Sequence, residues 1–274
     1  VTPPARRRDA PAALAHRGFS REGAENTLDA FRAARDLGYE WIETDVNTTA
    51  DGVVLSFHDG TLDRVTGDAG EVSRLTWDQI RSRRVAGAGG IPRLADLLTE
   101  LPELKLNIDV KDEASVTALP PLLHALGAVH RVRVTSFSES RRRRTLRRLH
   151  ELAGRPVPTS SGQGGMRLLL VCSWLGGPSW RLARRAAARW IAPFDTVQIP
   201  RRHRLRGGAE LELVTPRFLD FAHRHGIDVH VWTINDAAEM AELLELGVDG
   251  IVTDRADLLA ELLAERGQWP PSGV

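Results

Sequence analysis

Apolar and polar positions follow two rhythms along this chain, and the two rhythms alternate. Short runs dense in Val, Ile, Leu and Ala mark strands at 13–18 (ALAHRG), 41–46 (WIETDV), 53–59 (VVLSFHD), 104–111 (LKLNIDVK), 132–137 (VRVTSF), 157–160 (VPTS), 196–200 (TVQIP), 229–235 (VHVWTIN) and 250–254 (GIVTD). Between most of them the apolar residues recur at helical spacing. In 27–38 (TLDAFRAARDLG), Leu28, Phe31, Ala34 and Leu37 fall on one face, Asn26 or Thr27 can cap the start, and Gly38 can end the helix. The segment 236–247 repeats the pattern from Asp236 to Gly247, and 217–226 ends in the same way at Gly226.

Strand and helix in alternation predict a parallel sheet with helices outside it. About eight such units follow one another with no Gly/Ser linker between them. Neither a GxGxxG nor a P-loop pattern follows the first strand. These features favour a single-domain (β/α)8 TIM barrel over an open doubly wound sheet, with the α/β barrel domain at 12–266 and a flexible tail at 1–11. Nine strand runs compete for eight places. The connection 47–52 (NTTADG) is too short for a crossover helix, so a parallel return there would need extended chain and the barrel should be irregular around strands 2–3.

Composition narrows the function classes. The 274 residues carry a formal net charge of +1, which gives no global case for nucleic acid or an anionic membrane. A single cysteine, Cys172, excludes an intrachain disulfide framework and a multi-cysteine metal site, and suits a reducing compartment. The N-terminal segment has arginines but no long apolar run after them, and the longest apolar stretch, 166–180, is too short and interrupted to span a bilayer. A cytoplasmic location is the expectation.

The strand ends carry the chemistry, because a parallel barrel gathers its catalytic groups at the C-terminal ends of its strands. The first run ends in His16-Arg17, the second carries Glu43 and Asp45, the third ends in His58-Asp59, the fourth carries Asp109 and Lys111, and the eighth carries His230 and Trp232. Glu43 and Asp45, two apart on a strand, face the same way, and two neighbouring carboxylates away from bulk water cannot both stay ionised without a cation. With Asp109 they make an all-oxygen set suited to a hard divalent ion, Mg²⁺ or Ca²⁺; zinc is disfavoured because no histidine pair has zinc-motif spacing. His16 and His58 are two groups able to trade protons near neutral pH. Two histidines, an arginine, a lysine and a metal together suit a phosphodiester. Plainer readings exist for each group: a satisfied polar histidine, carboxylates paired at the barrel rim, or Asp109 and Lys111 simply pairing with each other. The coincidence of four early strand ends favours a site.

The stretches AHRG, ENTLDAF, IETDVNTTADGVVLSFHDGTLDRVTG, IPRLADLL, NIDVKD, VTSF, VWTIN and DGIVTD, in this order from residue 15 to 254, resemble the glycerophosphodiester phosphodiesterases, a TIM-barrel branch of the phosphatidylinositol-phospholipase-C-like phosphodiesterases. The resemblance implies hydrolysis of a small-molecule glycerophosphodiester to sn-glycerol 3-phosphate and an alcohol. His16 and His58 would be the acid/base pair, Arg17 would hold the phosphate, and Glu43, Asp45 and Asp109 would bind the metal. Lys111 would lie near the phosphoryl oxygens and Trp232 would line the pocket. It also implies attack by the glycerol 2-hydroxyl on phosphorus, departure of the alcohol, and opening of a cyclic phosphate by water. Two departures stand out: Asp109 occupies a position that is often glutamate, and Ala24 one that is usually proline. A lysophospholipase D-like enzyme and a non-catalytic phosphodiester-binding barrel are the alternatives; a wide apolar trough beside Trp232 would favour the first.

Three further stretches have a structural and a functional reading. The basic segment 138–155 reads as a solvated outer helix with Leu146, Leu149 and Leu152 inward, or as a landing face for anionic lipid. The segment 160–177 reads as a loop and a buried helix, or as a flexible wall near the substrate with weak peripheral membrane contact. The basic loop 200–211 can shape access, with His203 at the surface.

Overall fold

The computed structural model describes residues 10–177, 179–204 and 207–270. The stretch 1–9 of the expected tail lies outside them. The main sheet has eight strands: β1 Ala12–His16, β2 Trp41–Thr48, β3 Val54–Ser56, β4 Lys105–Val110, β5 Val132–Thr135, β6 Thr196–Pro200, β7 Asp228–Trp232 and β8 Gly250–Thr253. Helices of seven or more residues lie between and around them: α1 Leu28–Asp36, α2 Leu94–Glu100, α3 Glu113–Ala125, α4 Glu139–Ala153, α5 Gln163–Leu175, α6 Ser179–Ala187, α7 Pro216–Arg224, α8 Ala237–Leu246 and α9 Ala256–Glu265.

The first and last strands pair in parallel, and the order runs β5-β4-β2-β1-β8-β7-β6. The two ends of this path are joined by Thr159 and Ser160, which make single parallel bridges to Val134 and Thr196. Those two residues are all that remains of the expected 157–160 strand, and they complete the eight staves of a parallel α/β barrel. Apolar side chains of the strands and helices, among them Phe31, Ile42, Leu106, Val134, Val197 and Ile251, form one continuous core.

The run 53–59 is not a barrel strand. β2 overshoots the barrel, and its end at Val46, Asn47 and Thr48 pairs antiparallel with β3. A parallel return would need extended chain; instead a tight turn makes a hairpin, which a six-residue connection can close although it is too short for a parallel crossover. The excursion that follows builds its own apolar cluster from Leu55, Phe57, Leu62, Val72, Ile80, Val85 and Ile91. β3 runs back toward the mouth of the barrel, and Phe57 N–H bonds the carbonyl of Asp45 at 2.9 Å. His58 therefore arrives beside β2 from outside the barrel.

Thr27 caps α1 by accepting from the Ala30 N–H. Gly18 makes the turn into that helix at φ +87°, and a Cβ there would stand 2.7 Å from the carbonyl carbon of Ala30. Gly18→Ala combines left-handed strain with overpacking against backbone, so it should cost about 2–5 kcal/mol. In a domain of this size that is a fall in Tm of about 5–15 °C. Thermal unfolding checks this, and a Tm within two degrees of the parent would refute it.

The two basic or apolar helices differ from expectation in detail. α4 turns Arg142, Thr145 and Leu149 inward, with Leu146 partly covered; Leu152 is exposed. Arg142 is the surprise, fully buried against Glu139 and the carbonyl of Ala192. α5 buries only one face, through Gly165, Leu169, Cys172 and Ser173, and leaves Val171, Trp174 and Leu175 exposed. Among the described residues no helix is long and apolar enough to cross a membrane.

Candidate active site

Parallel register builds the site. His16 on β1 stands opposite Glu43 on β2, and Asp45 on β2 stands opposite Asp109 on β4. His16, Arg17, Glu43, Asp45, His58, Asp109, Lys111 and Trp232 all line one cavity of about 410 Å³. Its polar lining includes Gln198 and Thr135; Gln198 exchanges hydrogen bonds with the buried Asn107 across the barrel interior. Its apolar lining includes Phe137, Met166, Leu170, Leu211 and Leu213. Trp232 meets Phe137 edge to face at 5.9 Å between ring centres, and the Lys111 ammonium lies 5.4 Å from the Phe137 ring centre.

Both histidines are oriented by a carboxylate. His16 Nδ1 is 2.6 Å from Asp254 Oδ1, and His58 Nδ1 is 2.6 Å from Asp59 Oδ1. A carboxylate at Nδ1 favours the tautomer with the proton there, which leaves Nε2 as the working nitrogen. His16 Nε2 faces Glu43 Oε2 at 3.7 Å. Burial opposes a proton on His16, but the Asp254 hydrogen bond and the Glu43 charge outweigh it and raise its pKa. Asp254 is lowered in turn: burial acts against this, and the hydrogen bond from His16 prevails.

Arg17 is fixed at both sides, Nη1 to Glu25 at 2.8 Å and Nε to Asp45 at 3.0 Å. Its backbone is left-handed at φ +57°, a conformation unfavourable for a residue with a Cβ, which these two ion pairs help to hold. Arg64 links Glu25 to Asp59, so the loop behind Arg17 and the base of His58 share one network. Lys111 bridges Asp45 at 2.8 Å and Asp109 at 2.6 Å. The plain pairing of Asp109 with Lys111 is thus real, and it lies inside the cavity.

Charge is unevenly met. Burial works against ionised Asp45, but Lys111 and Arg17 hold its pKa down. Glu43 is pushed up to about 8 by burial and by the charge of Asp45. Asp109 is also raised, by burial against the pull of Lys111 and then by Asp45. Glu43 Oε2 and Asp109 Oδ1 are buried without a hydrogen-bond donor. Two orphaned carboxylate oxygens and a carboxyl short of countercharge fit a hard divalent cation. Among the described residues no three Asp, Glu, His or Cys side chains already stand together as a ready metal set, because Lys111 sits between two of the carboxylates.

The sequence pattern alone assigns no role to Asp254, Asp59, Glu25 or Arg64. The signal for Asp254 was its place just past the last strand: barrel closure pairs Ala15 with Thr253, and the next position on each strand is His16 and Asp254. His203 is exposed, as expected, yet it lines the cavity rim from a small hairpin of Arg202–Arg204 with Glu210–Glu212. His230 is buried in β7 and does not line the cavity.

Fold and site together define an α/β barrel with a strand-end pocket equipped for phosphodiester chemistry. The chain belongs to the glycerophosphoryl diester phosphodiesterase family, whose model matches residues 16–258. It is 40% identical over 258 residues to a Mycobacterium tuberculosis protein named "Probable glycerophosphodiester phosphodiesterase 2", covering 94% of this chain and 92% of that one. A glycerophosphodiester phosphodiesterase from Caldanaerobacter subterraneus subsp. tengcongensis is 27% identical over 262 residues, covering 93% and 98%. The fold matches that of an Oleispira antarctica phosphodiesterase solved in complex with the product sn-glycerol-3-phosphate, at a TM-score of 0.69 and 18% identity, over 93% of this chain and 97% of the other.

Proposed function

We propose that this enzyme hydrolyses glycerophosphodiesters to sn-glycerol 3-phosphate and an alcohol, using His16 and His58 as its proton-transfer pair and a divalent cation, Mg²⁺ or Ca²⁺. The observation that carries this reading is the pairing of two carboxylate-oriented histidines with Arg17 and Lys111 around one cavity. The names of its relatives and the sn-glycerol-3-phosphate bound to the Oleispira protein support it.

His58 takes the proton from the attacking glycerol 2-hydroxyl as its oxygen bonds to phosphorus. The bond from phosphorus to the alcohol oxygen breaks, and His16, whose Asp254 partner favours its proton, protonates that oxygen. Water then opens the cyclic phosphate with the two roles exchanged. Arg17 donates from Nη1 to Glu25 and sets Nε in an ion pair with Asp45, which leaves Nη2 for the phosphate, and Lys111 adds charge beside it. Glu43, Asp45 and Asp109 would hold the cation, which when bound supplies positive charge to the phosphoryl oxygens. The sole cysteine, Cys172, is free and buried, and we assign the cytoplasm as the compartment on cysteine usage.

A second reading has a specific observation behind it. Phe137, Met166, Leu170, Leu211, Leu213 and Trp232 give the cavity the apolar wall that a single acyl chain would use. Rates on glycerophosphocholine, glycerophosphoethanolamine and lysophosphatidylcholine, with each cation, test both. The proposal expects sn-glycerol 3-phosphate from the first two. Turnover of the lysolipid alone would favour the lysophospholipase D-like reading, and release of no product from any of them would overturn the enzyme assignment.

A further inference from the structure

The cavity wall does not end at the cavity. Gln163, Met166, Arg167 and Leu170, on the first two turns of α5, line it, and the opposite side of the helix is buried through Gly165, Leu169, Cys172 and Ser173. Gln163, Arg167, Leu170 and Trp174 follow one another at steps of four, three and four, so they form one stripe along the helix. The wall therefore runs on to Trp174, about 16 Å from Gln163 along the axis. There the surface turns apolar: Trp174 is 52% exposed, Leu175 73% and Val171 47%. This tip is held in place, because Arg217 in the first turn of α7 donates to the carbonyls of Ser173 and Trp174.

The charge of the segment that carries the tip is one-sided, and the exposed Asp220 on neighbouring α7 is paired with Arg224. From 156 to 194 the chain has five arginines and no acidic residue, although its overall balance is only +1. Four of the five, Arg181, Arg184, Arg185 and Arg189, follow the tip on and just after α6, with exposed Leu182 and Trp190 beside them. Self-association through this face would set arginines against arginines. A surface of anionic headgroups over an acyl layer meets both of its properties, since tryptophan and leucine favour the headgroup boundary and arginine the phosphates.

We propose that the tip of α5 and the arginines of α6 form a docking surface for an anionic phospholipid bilayer, with Trp174 and Leu175 entering the headgroup layer. Docking there brings the apolar wall of the cavity up to the membrane. The surface stands apart from the catalytic reading, because neither Trp174 nor Leu175 lines the cavity.

Co-sedimentation of the full chain with phosphatidylcholine vesicles, with and without one quarter phosphatidylglycerol, tests it. Saturating sn-glycerol 3-phosphate is present throughout, so that a headgroup caught in the cavity does not count as docking. The chain should pellet with the anionic vesicles at least about tenfold more strongly than with the neutral ones, and 0.5 M salt should weaken this. Trp174→Ser/Leu175→Ser and, separately, Arg184→Glu/Arg185→Glu should each lose the partition while hydrolysis of a water-soluble diester stays at the parental rate, which also reports folding. Failure to pellet with anionic vesicles, or unchanged pelleting in both double variants, overturns the proposal. So does a concentration-dependent dimer, without vesicle binding, that Trp174→Ser/Leu175→Ser abolishes; that result would assign the face to a second copy of the chain.

Discussion

Replacing His16 with alanine should lower kcat by about 10²–10⁴-fold with little change in KM, and His58→Ala should do the same. Each histidine has its Nδ1 engaged by a carboxylate at 2.6 Å, so each is presented to the cavity in a fixed tautomer. If the two move protons in one step, the double variant should lose little more than the worse single one, because removing either already breaks the relay. His16 carries a pH signature as well. Burial alone would lower its pKa, and the Asp254 hydrogen bond is the largest effect raising it. Asp254→Asn removes that charge, so the His16 pKa falls and its proton is lost at lower pH. The alkaline limb of the rate profile should then shift to lower pH, with activity lost near neutrality and partly regained on acidification. A near-parental His16→Ala enzyme, or an alkaline limb that does not move in Asp254→Asn, would remove His16 from the chemistry.

Much of this site could be read in the sequence because strand-end residues of a parallel barrel converge by geometry alone. In the barrel β1, β2 and β4 are neighbours, so His16, Glu43, Asp45 and Asp109 come together at their strand ends. His58 reaches the cavity by a route its run does not suggest. The pattern reads as the end of a third stave, whereas the residue is delivered by an antiparallel hairpin that returns along β2. Apolar alternation looks the same in a stave and in a returning hairpin strand; only the length of the connection tells them apart. The partners that orient the histidines were harder to see, since Asp254 lies 238 positions from His16 and meets it only when the barrel closes. Helix burial misled in another way. Periodicity marked Leu152 as inward, but the inward face of α4 is taken by Arg142, whose buried charge is met by Glu139 and by backbone carbonyls that no local pattern reveals.

Excess chelator should reduce turnover by about 10³-fold or more, with Mg²⁺ or Ca²⁺ restoring it, since a cation at a phosphoryl group contributes several kcal/mol to the barrier. The charge balance of the three carboxylates sets the form of the dependence. Lys111 already serves Asp45 and Asp109, and Arg17 also serves Asp45, so the shortfall of positive charge falls on Glu43. Burial and the Asp45 charge push Glu43 up to about 8, so in the metal-free protein at neutrality it should carry a proton. A cation must displace that proton, so affinity should fall as pH drops below about 8, and calorimetry in buffers of different ionisation enthalpy should record close to one proton released at pH 7. Glu43→Gln keeps the shape of the protonated side chain and removes its charge. The metal-free variant should therefore unfold within a few degrees of the parent, yet lose the proton release, the stabilisation by added cation and at least about 10²-fold in activity. A purely structural Glu43 would give the reverse, a lower Tm with cation binding intact. Full activity in excess chelator, or cation binding that ignores pH between 6 and 8, would eliminate the carboxylate cluster as the metal site.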